Sequence, residues 1–159
     1  YQWFPLSGLD PRELEYGVRA AAPSVDSFID RELQKYGLPP ERLALVGFSQ
    51  GTMMALHVGL RRERAIAGIV GLSGALVGGA KLKEEMRSKP AILLVHGDRD
   101  PMIPIPAMFD AAESLASAGH GALWHVSYGI PHSVGPDGIE LAVDFLAMQL
   151  KTKALVGGN

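Results

Sequence analysis

The chain has 159 residues, 47% hydrophobic and 20% charged, with a net charge of −2. That is enough apolar material for one sizeable core. There is no basic stripe for nucleic acid and no apolar run of the roughly 18 residues that span a membrane. With no cysteine, disulfides and a thiol nucleophile are excluded, which fits a cytoplasmic protein; any leader upstream of Tyr1 lies outside this reading.

The elements follow in chain order. Trp3 and Phe4 have two readings: they line a ligand pocket, or they cover a sheet. Asp10-Pro11-Arg12-Glu13 is a helix start, with an N-cap, a proline at the first helical position and a carboxylate three residues on. Leu14, Val18, Ala21, Val25, Phe28, Ile29, Leu33 and Tyr36 then recur at helical spacing, as a stripe that packs on a sheet. Pro23 is expected to kink or divide this helix, and Gly37 to end it. After Pro39-Pro40, Leu43-Ala44-Leu45-Val46 reads as a strand. The Gly47-Phe48-Ser49-Gln50-Gly51 turn follows, then a helix over 50–62 in which Met53 and Met54 face the core and His57 packs or lies at the surface. A buried strand over 66–72 precedes a longer connection, 74–90, with a short helix near 82–87. Ala91-Ile92-Leu93-Leu94-Val95-His96 is the third strand, leading into Gly97-Asp98-Arg99-Asp100-Pro101. A helix over 105–118 ends near His120. A last strand over 123–128, carrying His125, runs into Gly129-Ile130-Pro131-His132-Ser133, and a helix over 138–150 follows. This alternation is an α/β fold with about four parallel strands and flanking helices. Residues 1–151 read as part of a single domain, without repeat or linker, and 152–159 as a frayed tail.

Gly47-Phe48-Ser49-Gln50-Gly51 matches G-x-S-x-G between a strand and a helix, the setting in which that motif has chemical meaning. A serine on such a turn is pushed out of the backbone with its hydroxyl exposed. The glycines are expected to be needed because a side chain at either would collide across the turn. The N–H of Gln50 then points to where an oxyanion would form. An acid follows the third strand and a histidine the fourth, the order Ser, Asp, His of hydrolases with this elbow. Asp98 and Asp100 are both candidates for the acid. Pro101 stiffens the backbone beside Asp100, whereas Asp98 suits a turn in which its carboxylate caps backbone N–H groups. A metal site at His96-Gly97-Asp98-Arg99-Asp100 is the rival reading, but no H-E-x-x-H motif or Cys/His pair supports it. His96 is better read as a strand-end histidine with a local hydrogen bond. His120 suits a helix C-terminus, and His125 packs within its strand.

The segments Gly-Phe-Ser-Gln-Gly, His-Gly-Asp-Arg-Asp-Pro-Met-Ile-Pro and Gly-Ile-Pro-His-Ser resemble the phospholipase/carboxylesterase family, as does the opening Tyr-Gln-Trp-Phe-Pro-Leu. The resemblance covers nearly the whole chain apart from its last residues. It implies an α/β-hydrolase fold, Ser49 as nucleophile, His132 as base and Asp100 as the acid that orients it. It implies a carboxylesterase acting on small acyl esters, or on thioesters or lysophospholipids, with no metal or organic cofactor. Activity is then expected to rise as His132 becomes neutral, since only neutral imidazole accepts the serine proton. Trp3, Leu72, Met102 and Ile130 are candidates to contact the acyl group. The alternative is a catalytically impaired hydrolase fragment that binds a partner.

Family members also have a Leu-His-Gly-type segment upstream of the elbow, for which this chain has no match. The strand at 43–46 would therefore be the first in the chain and an open edge, with the N-terminal part of the sheet absent. Its apolar composition suits a strand covered on both faces and paired on both sides. An N-terminal fragment or a second copy of the chain is expected to cover that edge.

Overall fold

A computed structural model describes residues 2–5 and 10–156, with side chains through Lys151. Asp10 caps helix α1, its carboxylate accepting the N–H groups of Arg12 and Glu13 at 2.8 and 3.3 Å. Helix α1 then runs from Pro11 to Tyr36. Of the two outcomes expected at Pro23, a kink or a division, division does not occur. Leu14 and Val18 before the proline and Ile29 after it are buried in one cluster with Met53, Met54 and Val58. Packing on both sides of Pro23 thus holds the helix across the missing backbone hydrogen bond. Gly37 ends α1 at φ 62°, its N–H turned back on the carbonyls of Leu33 and Gln34.

The remaining elements are strand β1 (Ala44–Phe48), helix α2 (Gln50–Arg61), strand β2 (Gly68–Leu72), helix α3 (Leu82–Glu85), strand β3 (Ala91–Gly97), helix α4 (Pro106–Ser117), strand β4 (Leu123–Ser127) and helix α5 (Pro136–Val156). The four strands pair in chain order, β1-β2-β3-β4, and every pairing is parallel. Alternation along the strands divides the core. Ile69, Ile92 and Leu94 meet α2, α3 and α4 through Leu56, Leu60, Leu82, Met108 and Leu115. Val70, Leu93 and Val95 meet Ala142 and Phe145 of α5 on the other face. Burial on both faces explains why these strands read as continuous apolar runs. Helix α5 continues through the first five residues of the segment expected to fray, where no glycine or proline intervenes before Gly157; residues 157–159 lie outside those described.

Strand β1 is the first strand among the described residues and an open edge of the sheet, as expected. It pairs only with β2 among the described residues. Val46 and Phe48, in register with Val70 and Leu72, are 56% and 41% exposed. No helix among the described residues is long and apolar enough to cross a membrane.

The buried His57 of α2 is only 4% exposed, and its Nδ1 has no hydrogen-bond partner. Burial pushes its pKa down to about 4, with the neighbouring Arg61 adding to the effect. The ring is thus a neutral core group at neutral pH.

Candidate active site

Ser49 stands between β1 and α2 at φ 54°, ψ −117°. For a non-glycine residue that conformation costs roughly 1–3 kcal/mol and needs support from its surroundings. The support is visible. Ser49 N–H donates to the Leu72 carbonyl at 2.9 Å, and the Ser49 carbonyl accepts the N–H groups of Thr52 and Met53 at 3.0 and 3.3 Å. Thr52 Oγ1 lies 2.8 Å from the carbonyls of both Gly47 and Leu72, and accepts Leu72 N–H at 2.9 Å. One hydroxyl therefore fastens the elbow to β2. The glycine requirement holds at Gly47, where an added Cβ would lie 2.2 Å from the backbone of Gly51. It does not hold in that form at Gly51, where an added Cβ meets nothing within 4 Å. The crowding is one-sided because Gly51 already belongs to the first turn of α2 and points away from the strand.

Gln50 opens α2, where a backbone N–H has no acceptor inside the helix and stays available to a ligand. Its side chain has a separate role. Oε1 accepts Trp3 N–H at 3.1 Å and Nε2 donates to the Phe4 carbonyl at 2.9 Å, docking the N-terminal segment beside the elbow.

The acid and the histidine meet. Nδ1 of His132 lies 2.7 Å from Oδ2 of Asp100. Oδ1 of Asp100 accepts the N–H groups of Met102 and Ile103 at 2.8 and 2.9 Å. The Asp100 side chain is fully buried. Burial by itself would raise its pKa. The hydrogen bonds from His132, Ile103 and Met102 outweigh that and hold the carboxyl below its ordinary value, as an anion. Asp98 instead accepts Gly129 N–H at 2.5 Å, a turn cap. An anionic Asp100 on Nδ1 fixes the imidazole with its proton on that nitrogen, leaving Nε2 free to accept another.

The surrounding residues sort by position. The ring of Phe48 packs on that of His132, with centroids 4.9 Å apart and planes tilted by 48°. His96 Nε2 sits 2.8 Å from the Ile103 carbonyl, the local bond expected of it, and stiffens the Asp100 loop. Leu72 reaches the elbow through its backbone, while its side chain packs toward α5. Met102 is exposed beside the acid loop. The Ile130 carbonyl accepts Arg99 N–H at 3.1 Å. Trp3 is exposed and lines a separate groove with Arg12, Tyr16 and Gly17. His120 bonds the Pro90 carbonyl and His125 pairs with Asp137, each at 2.7 Å. Among the described residues no three His, Cys, Asp or Glu side chains cluster as metal ligands. Thr52 and the Phe48 ring went unread in the sequence. The only available signal was their adjacency to the motif, since neither residue type is specific to such a site.

A family model described as Phospholipase/Carboxylesterase matches residues 1–150. The chain belongs to the phospholipase/carboxylesterase family. Acyl-protein thioesterase 1 of the fungus Gibberella zeae is 30% identical over 142 residues, which are 86% of this chain and 60% of that protein's length. The crystal structure of esterase PE8 superposes with a TM-score of 0.90 at 38% identity, over 94% of this chain and 71% of that one. Acyl-protein thioesterase 2 of Zea mays shares the fold, with a TM-score of 0.76 at 21% identity, over 93% of this chain and 72% of that one. The four parallel strands and their helices thus form part of an α/β-hydrolase fold.

Proposed function

We propose that the chain is the catalytic portion of a serine carboxylesterase that hydrolyses small acyl esters, with Ser49 as nucleophile, His132 as base and Asp100 as its orienting acid. The observation that carries this reading is the part-buried Asp100–His132 hydrogen bond, on a histidine whose ring packs on Phe48 next to the strained turn of Ser49. Ser49 Oγ attacks the acyl carbonyl carbon, and His132 Nε2 takes the serine proton. The imidazolium then protonates the leaving alcohol, and water releases the acyl group by the same steps in reverse roles. Gln50 N–H donates to the oxyanion. Of the four residues expected to contact the acyl group, Met102 and Ile130 stay candidates, with Met102 exposed for it; Leu72 packs toward α5 and Trp3 lines a separate groove. A relative that is named a thioesterase supports keeping thioesters within the proposed chemistry.

In this fold a second oxyanion N–H comes from a loop that precedes the elbow strand. We propose that a further strand pairs with the free edge of β1, from an N-terminal segment or a second copy of the chain. The position of β1 at the edge of the sheet, paired only with β2 among the described residues, supports this pairing; the exposed Val46 and Phe48 mark a face that the same segment would help to cover. Losing one oxyanion donor costs about 10²–10³ in kcat, so turnover is expected to depend on that strand.

A fluorophosphonate probe tests the assignment: it should label wild-type chain at Ser49 and leave Ser49→Ala unlabelled. Labelling elsewhere, or none, would sink it. Among nitrophenyl esters, short acyl chains should be turned over best, and a rate rising steadily to long chains would overturn the small-ester reading. Native mass spectrometry with gel filtration should find active material carrying an associated strand. Full turnover by an isolated 17.0 kDa monomer would remove the need for one.

A further inference from the structure

We infer that Ser73 is a positioning residue for His132, its hydroxyl clamping the histidine loop to the end of β2 beside the nucleophile turn. The inference rests on the triad reading proposed above. Ser73 follows β2 directly. Among the described residues two non-glycine positions have positive φ, Ser49 at 54° and Ser73 at 45°. Glycine would adopt that conformation without steric cost, whereas serine bears the strain. A buried serine in a glycine conformation calls for a use of its hydroxyl.

The hydroxyl of Ser73 has such a use. Ser73 is 1% exposed. Its Oγ donates to the Ser133 carbonyl at 3.0 Å, while its N–H donates to the Val95 carbonyl at 2.9 Å. Ser133 N–H in turn donates to the Pro131 carbonyl at 2.7 Å. His132 is therefore the central residue of a three-residue turn, and the residue after it is held at both its N–H and its C=O. Upstream, Arg99 N–H holds the Ile130 carbonyl at 3.1 Å. These bonds set the direction in which the imidazole leaves the backbone.

The same turn is pressed against the elbow. A Cβ added at Gly74 would lie 2.7 Å from the Ser49 carbonyl oxygen and 2.3 Å from Thr52 Cβ. Ser73-Gly74 thus touches the nucleophile's backbone on one side and the histidine's loop on the other. Ser133 itself is exposed, so without the clamp its carbonyl can turn to water. The loss then falls on imidazole placement more than on folding. Misplacing a catalytic group by about 1 Å costs on the order of 10²-fold in rate.

The test compares Ser73→Ala and Ser73→Gly with wild type. Glycine relaxes φ while removing the hydroxyl, so it separates strain from hydrogen bonding. Both variants should react with the fluorophosphonate at least about tenfold more slowly than wild type. For a nitrophenyl ester, kcat should fall by a similar factor with little change in KM. The downfield proton resonance of His132 Nδ1–H should broaden in both, while circular dichroism stays native. A Ser73→Gly chain that labels and turns over as wild type, with a sharp resonance, would overturn the inference; it decides the matter even if Ser73→Ala fails to fold. If wild type itself neither labels at Ser49 nor shows the resonance, the triad reading fails instead, and the two failures remain distinct.

Discussion

Ser49→Ala and His132→Ala are each expected to lower kcat by about 10⁴-fold or more, and the double variant by little beyond either single one. Nucleophile and base act as a unit, so once one is gone the other contributes almost nothing. Fold loss is not the expected cause. Ser49 contributes to its surroundings through backbone bonds to Leu72, Thr52 and Met53, none of which needs its hydroxyl. The alanine chain keeps the strained φ and should keep a native circular dichroism spectrum. Burst kinetics with a nitrophenyl ester check the claim, since both the acyl-enzyme burst and the steady state should vanish. Additive losses in the double variant would show that the two side chains act independently.

Asp100→Asn should be nearly as damaging, about 10⁴-fold in kcat by analogy with serine-protease triads, whereas Asp98→Asn should cost about tenfold or less. An asparagine keeps one oxygen for the N–H groups of Met102 and Ile103 but turns an amide N–H toward His132 Nδ1. The imidazole must then accept there and carry its proton on Nε2, so it cannot take the serine proton. Asp98 serves Gly129 N–H and is separated from that tautomer choice. The same carboxyl marks the acid limb of stability. Its folded pKa lies below the ordinary 3.8. Its contribution is therefore fully present above that value and lost as pH falls through the folded pKa. Urea titrations should show a stability gap between wild type and Asp100→Asn that holds at neutral pH and closes below pH 3.8. A gap that widened on acidification would contradict the assignment of a stabilised anion.

Much of this arrangement was legible in the chain because each signal was local. The Asp10 cap, the Gly37 stop and the apolar runs of β2 and β3 follow from short-range chemistry, and the structure has them where the residues put them. The G-x-S-x-G motif located Ser49, and the strand-end pattern located the loops of Asp100 and His132. What was not legible depends on contacts between segments distant in sequence. Pro23 reads locally as a break, yet burial of Val18 and Ile29 on the same neighbours carries the helix across it. Gly51 reads as half of a crowded pair, but crowding depends on which way the turn faces, and only Gly47 meets it. The choice between Asp98 and Asp100 rested partly on Pro101 and the turn-cap reading of Asp98 and partly on the family resemblance, because two carboxylates two residues apart on a loop differ mainly in which N–H groups surround them. Thr52 and Ser73 carry no motif, and their hydroxyls acquire a use only once β2 lies beside the elbow.

The direction in which Ser49 is anchored has a consequence for how such a domain can be cut and rejoined. Its backbone N–H reaches inward to Leu72 of β2, Thr52 fastens the same pair, and the acid and histidine loops hang from β3 and β4. None of these bonds uses the outer edge of β1. Aim of the nucleophile and completion of the oxyanion site are thus separable modules. If a strand docks on that edge, as proposed, it would alter turnover without touching the backbone bonds that hold the Ser49 turn. Covalent probe chemistry and catalytic turnover would then report on two different halves of the sheet.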